Sequence, residues 1–317
     1  MNSGHKTLSG PLAGLVITFA VLWAGCKPPT AIPLPDAGDQ GPCPSGYLFV
    51  AAGTFEMGIN PDDPLYGNNI SLFWDLMPRR TVMLSDYCIQ KTEATVDSFK
   101  SCVKAGKCPG LFQQRSWHES CNYSEELDDR DNHPMNCVSW AAAREYCQQW
   151  AGGDLPSDAQ WEKAARGTDR RLFPWGNEPL SCDRANWDED GPYNSEGGGQ
   201  NLGCMSRTFP ATWPVGTLDH QGDSPYGLKD MSGNVSEWVL DCFDSDLRDT
   251  CSENSCVDPV DSCDAGPYAT RGGSAENDKI RLFTVMAHGQ SDQLQTDVGF
   301  RCVLIPAGRR NFAAIGR

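Results

Sequence analysis

Cysteine content constrains this chain more than any other feature of its sequence. The 317 residues include fifteen cysteines, and in an exported chain so many thiols normally pair as disulfides. Zinc binding is the alternative, but close pairs such as Cys102 and Cys108 have a longer spacer than the roughly two to four residues of a zinc knuckle. If Cys26 is lipidated, fourteen cysteines remain. We therefore predict an exported domain with up to seven disulfides.

Residues 1–26 have the layout of a lipoprotein signal peptide. An apolar stretch at 12–23, too short to span a bilayer comfortably, is followed by two small residues and Cys26. This pattern predicts cleavage before Cys26 and acylation of its thiol. Plain secretory cleavage nearby is the alternative, because Trp23 stands where a small or aliphatic residue is usual. The residue after Cys26 is Lys27 and not an aspartate. By resemblance to sorted lipoproteins, this predicts that the protein is anchored in the outer membrane if its source is a two-membrane bacterium.

The remainder of the chain divides into three parts. Residues 27–46 predict an extended tether, because the stretch 27–44 contains six prolines and no periodic apolar pattern. Residues 47–305 then form one domain, and 306–317 form a C-terminal tail. The chain is 39% hydrophobic, which suffices for a packed core.

Three segments of the domain predict short helices: 92–106, 139–153 and 155–167. Each offers a serine or threonine as N-cap and ends at glycine. After Gly167, short apolar runs alternate with Gly, Asn, Asp and Pro, which predicts brief strands within long loops. Such a domain needs disulfides or bound calcium for rigidity.

Seven collinear motifs resemble the sulfatase-modifying factor family of formylglycine-generating enzymes. They are GTFEMG (53–58), KTEATVDSF (91–99), HPMNCVSWAAAREYCQQWAGGDLPSDAQWEKAARG (133–167), FPWGN (173–177), YGLKDMSGNVSEWV (226–239), RGGS (271–274) and GFRC (299–302). The resemblance implies a single α+β domain, a loop-rich variant of the C-type-lectin-like fold. It also implies a disulfide between Cys147 and Cys302, whose Cα atoms should then lie about 4.4 to 6.8 Å apart.

The catalytic residues of that family are missing. Its enzymes bind Cu(I) through two cysteines, three and eight residues after the serine of RGGS, and those positions here are Asn277 and Leu282. Neither side chain is the soft ligand that Cu(I) requires. The sequence has no cysteine between Cys263 and Cys302, so copper would have to borrow a loop cysteine such as Cys256 or Cys263. We therefore expect no catalytic copper.

The resemblance also implies two calcium sites. One would use Asn186 and the carbonyl of Trp187, although Arg207 stands roughly where its completing aspartate is expected. The other would use oxygen ligands of a Gly-Asn turn, which suit a hard cation, namely Gly233, Asn234, Val235 and Glu237. The alternative for Glu237 is a surface carboxylate that caps a turn.

Three functional hypotheses follow. The first is a non-catalytic domain that binds a protein, peptide or glycan at the cell envelope, for instance through 241–265, a cysteine-bearing segment with eight acidic residues. The second is an enzyme, either a formylglycine-generating oxidase or other oxidoreductase acting on sulfatase-type cysteine substrates with an unfamiliar ligand set, or one with another chemistry in the same cleft. The third is a structural lipoprotein of the envelope. The formal charge of −16 disfavours nucleic acid as a partner, and the membrane is reached only through the lipid anchor.

Overall fold

The computed structural model describes residues 1, 42–63, 76–110, 118–125, 129–187, 204, 212–243, 256–261, 266–277, 281–291 and 294–306. The chain divides into two units, Met1–Asp39 and Gln40–Arg317, and every described residue except Met1 belongs to the second. The predicted signal peptide and Cys26 lie outside the described residues, as do most of the predicted tether and tail. None of the described helices is long and apolar enough to cross a membrane.

Nine strands and three α-helices make up the regular structure of the described residues. The strands are β1 (Tyr47–Val50), β2 (Gly53–Met57), β3 (Arg80–Leu84), β4 (Tyr87–Gln90), β5 (Ser236–Cys242), β6 (Tyr268–Arg271), β7 (Ala287–Gln290), β8 (Val298–Phe300) and β9 (Val303–Leu304). The helices are α1 (Val96–Lys104), α2 (Trp140–Tyr146), which continues as a π-helical turn (Cys147–Ala151), and α3 (Asp158–Arg166); a short 3-10 turn covers His220–Gly222. The predicted loop-rich α+β fold is confirmed.

The strands form three small sheets. Their orders are β1-β4-β9, β2-β3 and β7-β6-β5-β8. In the largest sheet, β5 pairs in parallel with β8 and antiparallel with β6, which is in turn antiparallel to β7. The central strand β5 is almost entirely buried, so its side chains connect both faces of the sheet to the core.

All three predicted helices are present, and their caps explain where they begin. The side chains of Thr95 and Ser139 accept hydrogen bonds from the first-turn amides of α1 and α2. Ser157 and Gln160 form a reciprocal capping box at α3. The π-helical turn after α2 ends at Gly152, whose φ of 80° is in the left-handed region that glycine adopts without strain.

Disulfides join residues at sequence separations from 6 to 155. Five bridges between described cysteines are Cys43–Cys88, Cys102–Cys108, Cys121–Cys137, Cys147–Cys302 and Cys182–Cys204. Cys242 and Cys256 are also disulfide-bonded, so every cysteine among the described residues is oxidised. The bridge that the family resemblance implies, Cys147–Cys302, is present with its Cα atoms 5.4 Å apart. It ties the end of α2 to the last strands of the domain.

Candidate functional site

A glycine turn directly after β6 shapes the candidate functional site. Gly272 and Gly273 have φ angles of 88° and 65°. A Cβ on Gly273 would lie 2.9 Å from the carbonyl oxygen of Arg281, so only glycine lets these two backbone segments come so close. The turn therefore places the backbone of Gly273 directly against the backbone of Arg281.

Asn277, at the first copper-ligand position of the resembling enzymes, closes this turn. Its Oδ1 accepts a hydrogen bond from the backbone N–H of Ser274 at 3.0 Å, and its own N–H donates to the carbonyl of Ser274 at 3.1 Å. The Ser274 hydroxyl in turn donates to Asp297 Oδ2 at 3.1 Å. Asn277 is buried and its amide oxygen is already bonded, so its side chain has a structural role.

Leu282, at the second position, is part of the hydrophobic core. Its side chain is completely buried and packs in a cluster that includes Ile59, Phe173 and Met286. Its carbonyl accepts a hydrogen bond from Ser232 Oγ at 2.8 Å. An amide and an aliphatic side chain stand where Cu(I) needs two thiolates, so the site does not fit copper.

Neighbouring cysteines do not supply the missing thiolates within the described part of the chain. Cys256, one of the two loop cysteines considered for this role, is disulfide-bonded. A sulfur in a disulfide has no thiolate to offer to a metal. Cys263, the other one, lies outside the described residues.

The two predicted calcium segments lie against each other. The backbone N–H of Asn234 donates to the carbonyl of Asn186 at 2.9 Å, and a Cβ on Gly233 would stand 2.2 Å from that same oxygen. The carbonyl of Trp187 accepts a hydrogen bond from the N–H of Cys204 at 3.0 Å. Asn234 has a φ of 64°, which lies in the left-handed region that asparagine adopts in turns more often than most residues do. The predicted segments are thus neighbours, joined by backbone hydrogen bonds.

Glu237 forms a buried ion pair with Arg301. It is fully buried on β5, so the surface-carboxylate alternative is wrong. Its Oε1 accepts from Arg301 Nη2 at 2.6 Å, and its Oε2 accepts from Arg301 Nε at 2.7 Å and from Trp161 Nε1 at 2.8 Å. Burial alone would lower the pKa of Arg301, but the charge of Glu237 and its hydrogen bonds raise it. Glu237 is therefore occupied as an ion-pair partner, which weakens its assignment as a calcium ligand.

The other donors of Arg301 hold three further backbone groups. Its Nη1 donates to the carbonyls of Gln90 and Lys91 at 3.1 and 3.2 Å, and its Nη2 donates to the carbonyl of Lys229 at 2.9 Å. The guanidinium thus joins β4, the loop before β5, and β5 itself. A buried arginine with every donor used fixes the position of the surrounding loops.

Two carboxyl groups beside this ion pair were not predicted as site residues from the sequence. Glu93, which is 2% exposed, accepts from Asn234 Nδ2 at 3.0 Å, and Asp230 accepts from the N–H of Gly216 at 2.6 Å. Burial raises the pKa of Asp230 above its usual value, and Glu93 Oε2 is buried with no hydrogen-bond partner among the described residues. Burial and then the charge of Asp230 raise the pKa of Glu93 well above its usual value.

This carboxyl pair is the part of the region that best suits a hard cation. Glu93, Asp230 and Glu237 form one electrostatic cluster, and the guanidinium of Arg301 supplies positive charge to all three. A proton or a bound cation offsets the remaining negative charge. Among the residues described, no three His, Cys, Asp or Glu side chains are arranged to hold a metal together, so an ion here would also need carbonyl ligands.

Both carboxyl groups lie inside motifs that carry the family resemblance. Glu93 belongs to KTEATVDSF and Asp230 to YGLKDMSGNVSEWV. Within the second motif, only residues 233–237 were predicted to include metal ligands. Glu93 and Asp230 are 137 positions apart, so no local sequence pattern indicates that they lie together.

Comparison with known proteins identifies relatives over most of the chain. The family described as sulfatase-modifying factor enzyme 1-like domain matches residues 35–305. The formylglycine-generating enzyme of Thermomonospora curvata is 33% identical over 306 residues, which cover 82% of this chain and 94% of that enzyme. A Bos taurus protein named inactive C-alpha-formylglycine-generating enzyme 2 is 31% identical over 191 residues, covering 59% of this chain and 55% of that protein.

Solved structures show the same fold at lower identity. PvdO from Pseudomonas aeruginosa superposes with a TM-score of 0.59 at 20% identity, over 81% of this chain and 93% of PvdO. Treponema denticola variable protein 1 gives a TM-score of 0.53 at 20% identity, over 82% of this chain and 95% of that protein. At these identities the likeness concerns the fold alone.

Proposed function

The chain belongs to the sulfatase-modifying factor family, and from this premise we propose that it is a non-catalytic member that binds a protein, peptide or glycan at the cell envelope. One observation carries the proposal. At the two copper-ligand positions Asn277 closes a backbone turn and Leu282 is completely buried in the core. The scaffold is retained around residues that cannot perform the copper chemistry.

Two further observations support a binding role. All cysteines in the described segments are in disulfides, which stabilise the scaffold and leave no described thiolate for redox chemistry. In addition, one of the relatives carries the name of an inactive enzyme, so loss of activity has a precedent among proteins similar to this one. The envelope location rests on the sequence of residues 1–46, where an acylated Cys26 would anchor the domain through a tether.

A copper assay tests the proposal. The purified protein is incubated with Cu(I) and oxygen together with a peptide that contains a Cys-x-Pro-x-Arg motif, and aldehyde formation is followed by mass spectrometry. The Thermomonospora curvata enzyme serves as positive control. We expect no aldehyde from this chain. Copper-dependent turnover would instead support the alternative, an oxidase with an unfamiliar ligand set.

A double variant tests whether the chain fails to bind copper only because the two cysteine ligands are absent. Asn277→Cys combined with Leu282→Cys restores two thiolates at the family positions. We expect the double variant to bind Cu(I) in an anaerobic titration, whereas the wild type and Asn277→Cys alone bind it at least about a hundredfold more weakly, because Cu(I) needs two soft ligands. Equal Cu(I) affinity of wild type and double variant would contradict the proposal.

We also propose calcium as a structural cofactor, bound at the Glu93–Asp230 pair and the adjacent 233–235 turn. Support comes from the buried carboxyl group of Glu93 and the neighbouring, partly buried Asp230, whose negative charges a bound cation would offset. Carboxylate and carbonyl oxygens are the ligands that calcium prefers. Binding would offset the negative charge of the pair and join the loop before β5 to the segment before α1.

A further inference from the structure

Two exposed apolar side chains, Met83 on β3 and Val257, are neighbours, and a third, Val260, follows in the segment of Val257. Met83, Val257 and Val260 are 40%, 59% and 49% exposed. Met83 and Val257 are direct neighbours because their segments form a parallel bridge, and Val260 follows in the same segment. Exposed aliphatic groups gathered in one place are a feature of binding surfaces.

The segment that carries the two valines is fixed along its length. The N–H of Met83 donates to the carbonyl of Cys256, and the N–H of Asp258 donates to the carbonyl of Met83, both at 2.8 Å. Ser85 donates from its N–H and from its hydroxyl to the two carboxylate oxygens of Asp258, each at 2.7 Å. The Asp258 side chain is therefore held in one orientation at the surface.

The far end of the segment is fastened to β5. The N–H of Cys242 donates to the carbonyl of Asp261 at 2.8 Å, and the N–H of Asp261 donates to Asp241 Oδ1 at 2.8 Å. Cys242 and Cys256 are each disulfide-bonded as well. A surface that is already ordered loses little conformational entropy when a partner binds.

The chemistry of this surface points to a cationic peptide segment. Its apolar groups are aliphatic, whereas a glycan site commonly offers an aromatic face. The exposed Asp258 places negative charge beside Val257, and the whole chain has a formal charge of −16, which attracts positively charged partners.

We propose that the Val257 surface, defined by Met83, Val257, Asp258 and Val260, docks a partner protein through a segment in which apolar side chains are flanked by Lys or Arg. The inference rests on the proposed binding function and specifies its partner. Val257 and Met83 receive the apolar side chain, and Asp258 pairs with the cation.

Defined peptides test the docking surface. The probe is a fluorescein-labelled twelve-residue peptide of alternating Leu and Lys, and binding to the full purified chain is measured by fluorescence anisotropy. Two companion peptides replace Lys with Glu, or Leu with Ser. We expect only the Leu-Lys peptide to bind. Val257→Ser should weaken its affinity about tenfold, because roughly half a valine's worth of burial is lost.

The matched control is Ile305→Ser, which alters another exposed aliphatic residue, 68% exposed, beyond β9. We expect it to leave affinity unchanged. The inference is overturned if no peptide binds, if the Ser-Lys peptide binds as tightly as the Leu-Lys peptide, or if Ile305→Ser weakens binding as much as Val257→Ser. These outcomes leave the copper assay unaffected, and aldehyde formation in that assay would overturn the proposed function without changing the peptide result.

Discussion

Removal of calcium should lower the stability of this domain, and the ratio of free calcium to Kd sets the expected size of the effect. A ligand that binds only the native state stabilises it by RT ln(1 + [L]/Kd), which is about 2.7 kcal/mol when free calcium is a hundred times Kd. For a domain of this size each kcal/mol shifts Tm by about 2 to 4 °C, so calcium should raise Tm by roughly 5 to 10 °C over a chelated sample. Differential scanning calorimetry measures the shift.

Glu93→Gln is the informative variant. The amide oxygen of glutamine can still accept the hydrogen bond from Asn234 Nδ2, and the neutral amide removes one negative charge beside Asp230. Stability in chelator should therefore change by less than about 1 kcal/mol, while most of the calcium increment disappears because one anionic ligand is gone. An exposed substitution on α2, Glu145→Gln, is the control and should keep the full increment.

Glu237→Gln distinguishes the stabilisation that the ion pair with Arg301 provides from the stabilisation that calcium provides. It leaves the guanidinium of Arg301 buried without its counter-charge, which costs about 3 to 5 kcal/mol with or without calcium. The calcium increment itself should persist, because we place the ion on Glu93 and Asp230. If chelator does not change the wild-type Tm, the calcium proposal is wrong; if Glu237→Gln abolishes the increment and Glu93→Gln does not, the ligand assignment is wrong.

Three further outcomes follow from other parts of the structure. Burial, and then the charge of Asp158, raise the pKa of Asp241 from 3.8 to about 7, so its contribution to stability is complete at acidic pH and is lost as pH rises through about 7. Urea unfolding between pH 5 and 8 should show this decline, of order 1 kcal/mol per pH unit at most, and Asp241→Asn should remove it. Replacing Cys147 and Cys302 together by serine should lower the free energy of unfolding by about 2 to 5 kcal/mol in the same assay. Cys26→Ser should release the protein from the membrane fraction of cells, because its apolar signal stretch cannot anchor it alone; unchanged membrane association would contradict the acylation prediction.

Local features of this fold could be predicted from the sequence because their causes are local. The capping box joins Ser157 to Gln160, three positions later, and the glycine caps Gly152 and Gly167 directly follow the helical residues that they end. The disulfide between Cys147 and Cys302 spans 155 residues, and only the resemblance to a known family could suggest it. Spacing alone does not specify a partner at that distance.

The buried charge network could not be predicted, because its members are far apart in sequence. Glu237 was assigned to a metal or to the surface, since a lone glutamate after a Gly-Asn turn suits both. Its partner Arg301 lies 64 residues later, within a motif that indicated only a buried strand. Glu93 lies 141 residues before Asn234, to which it is hydrogen-bonded. The fold brings these groups together, and their charges then decide what each can bind.

The bridge between Cys43 and Cys88 determines how the domain withstands mechanical load. Tension that reaches Cys43 from the preceding segment is passed through sulfur to β4, which lies in its sheet between β1 and β9. The enclosed residues, including β1, β2 and β3, are thereby shielded from extension. A sequence separation of 45 corresponds to roughly 150 Å of contour length. In an optical-trap measurement this length would stay hidden while the bridge is intact and would appear as an added extension step once a reductant opens it.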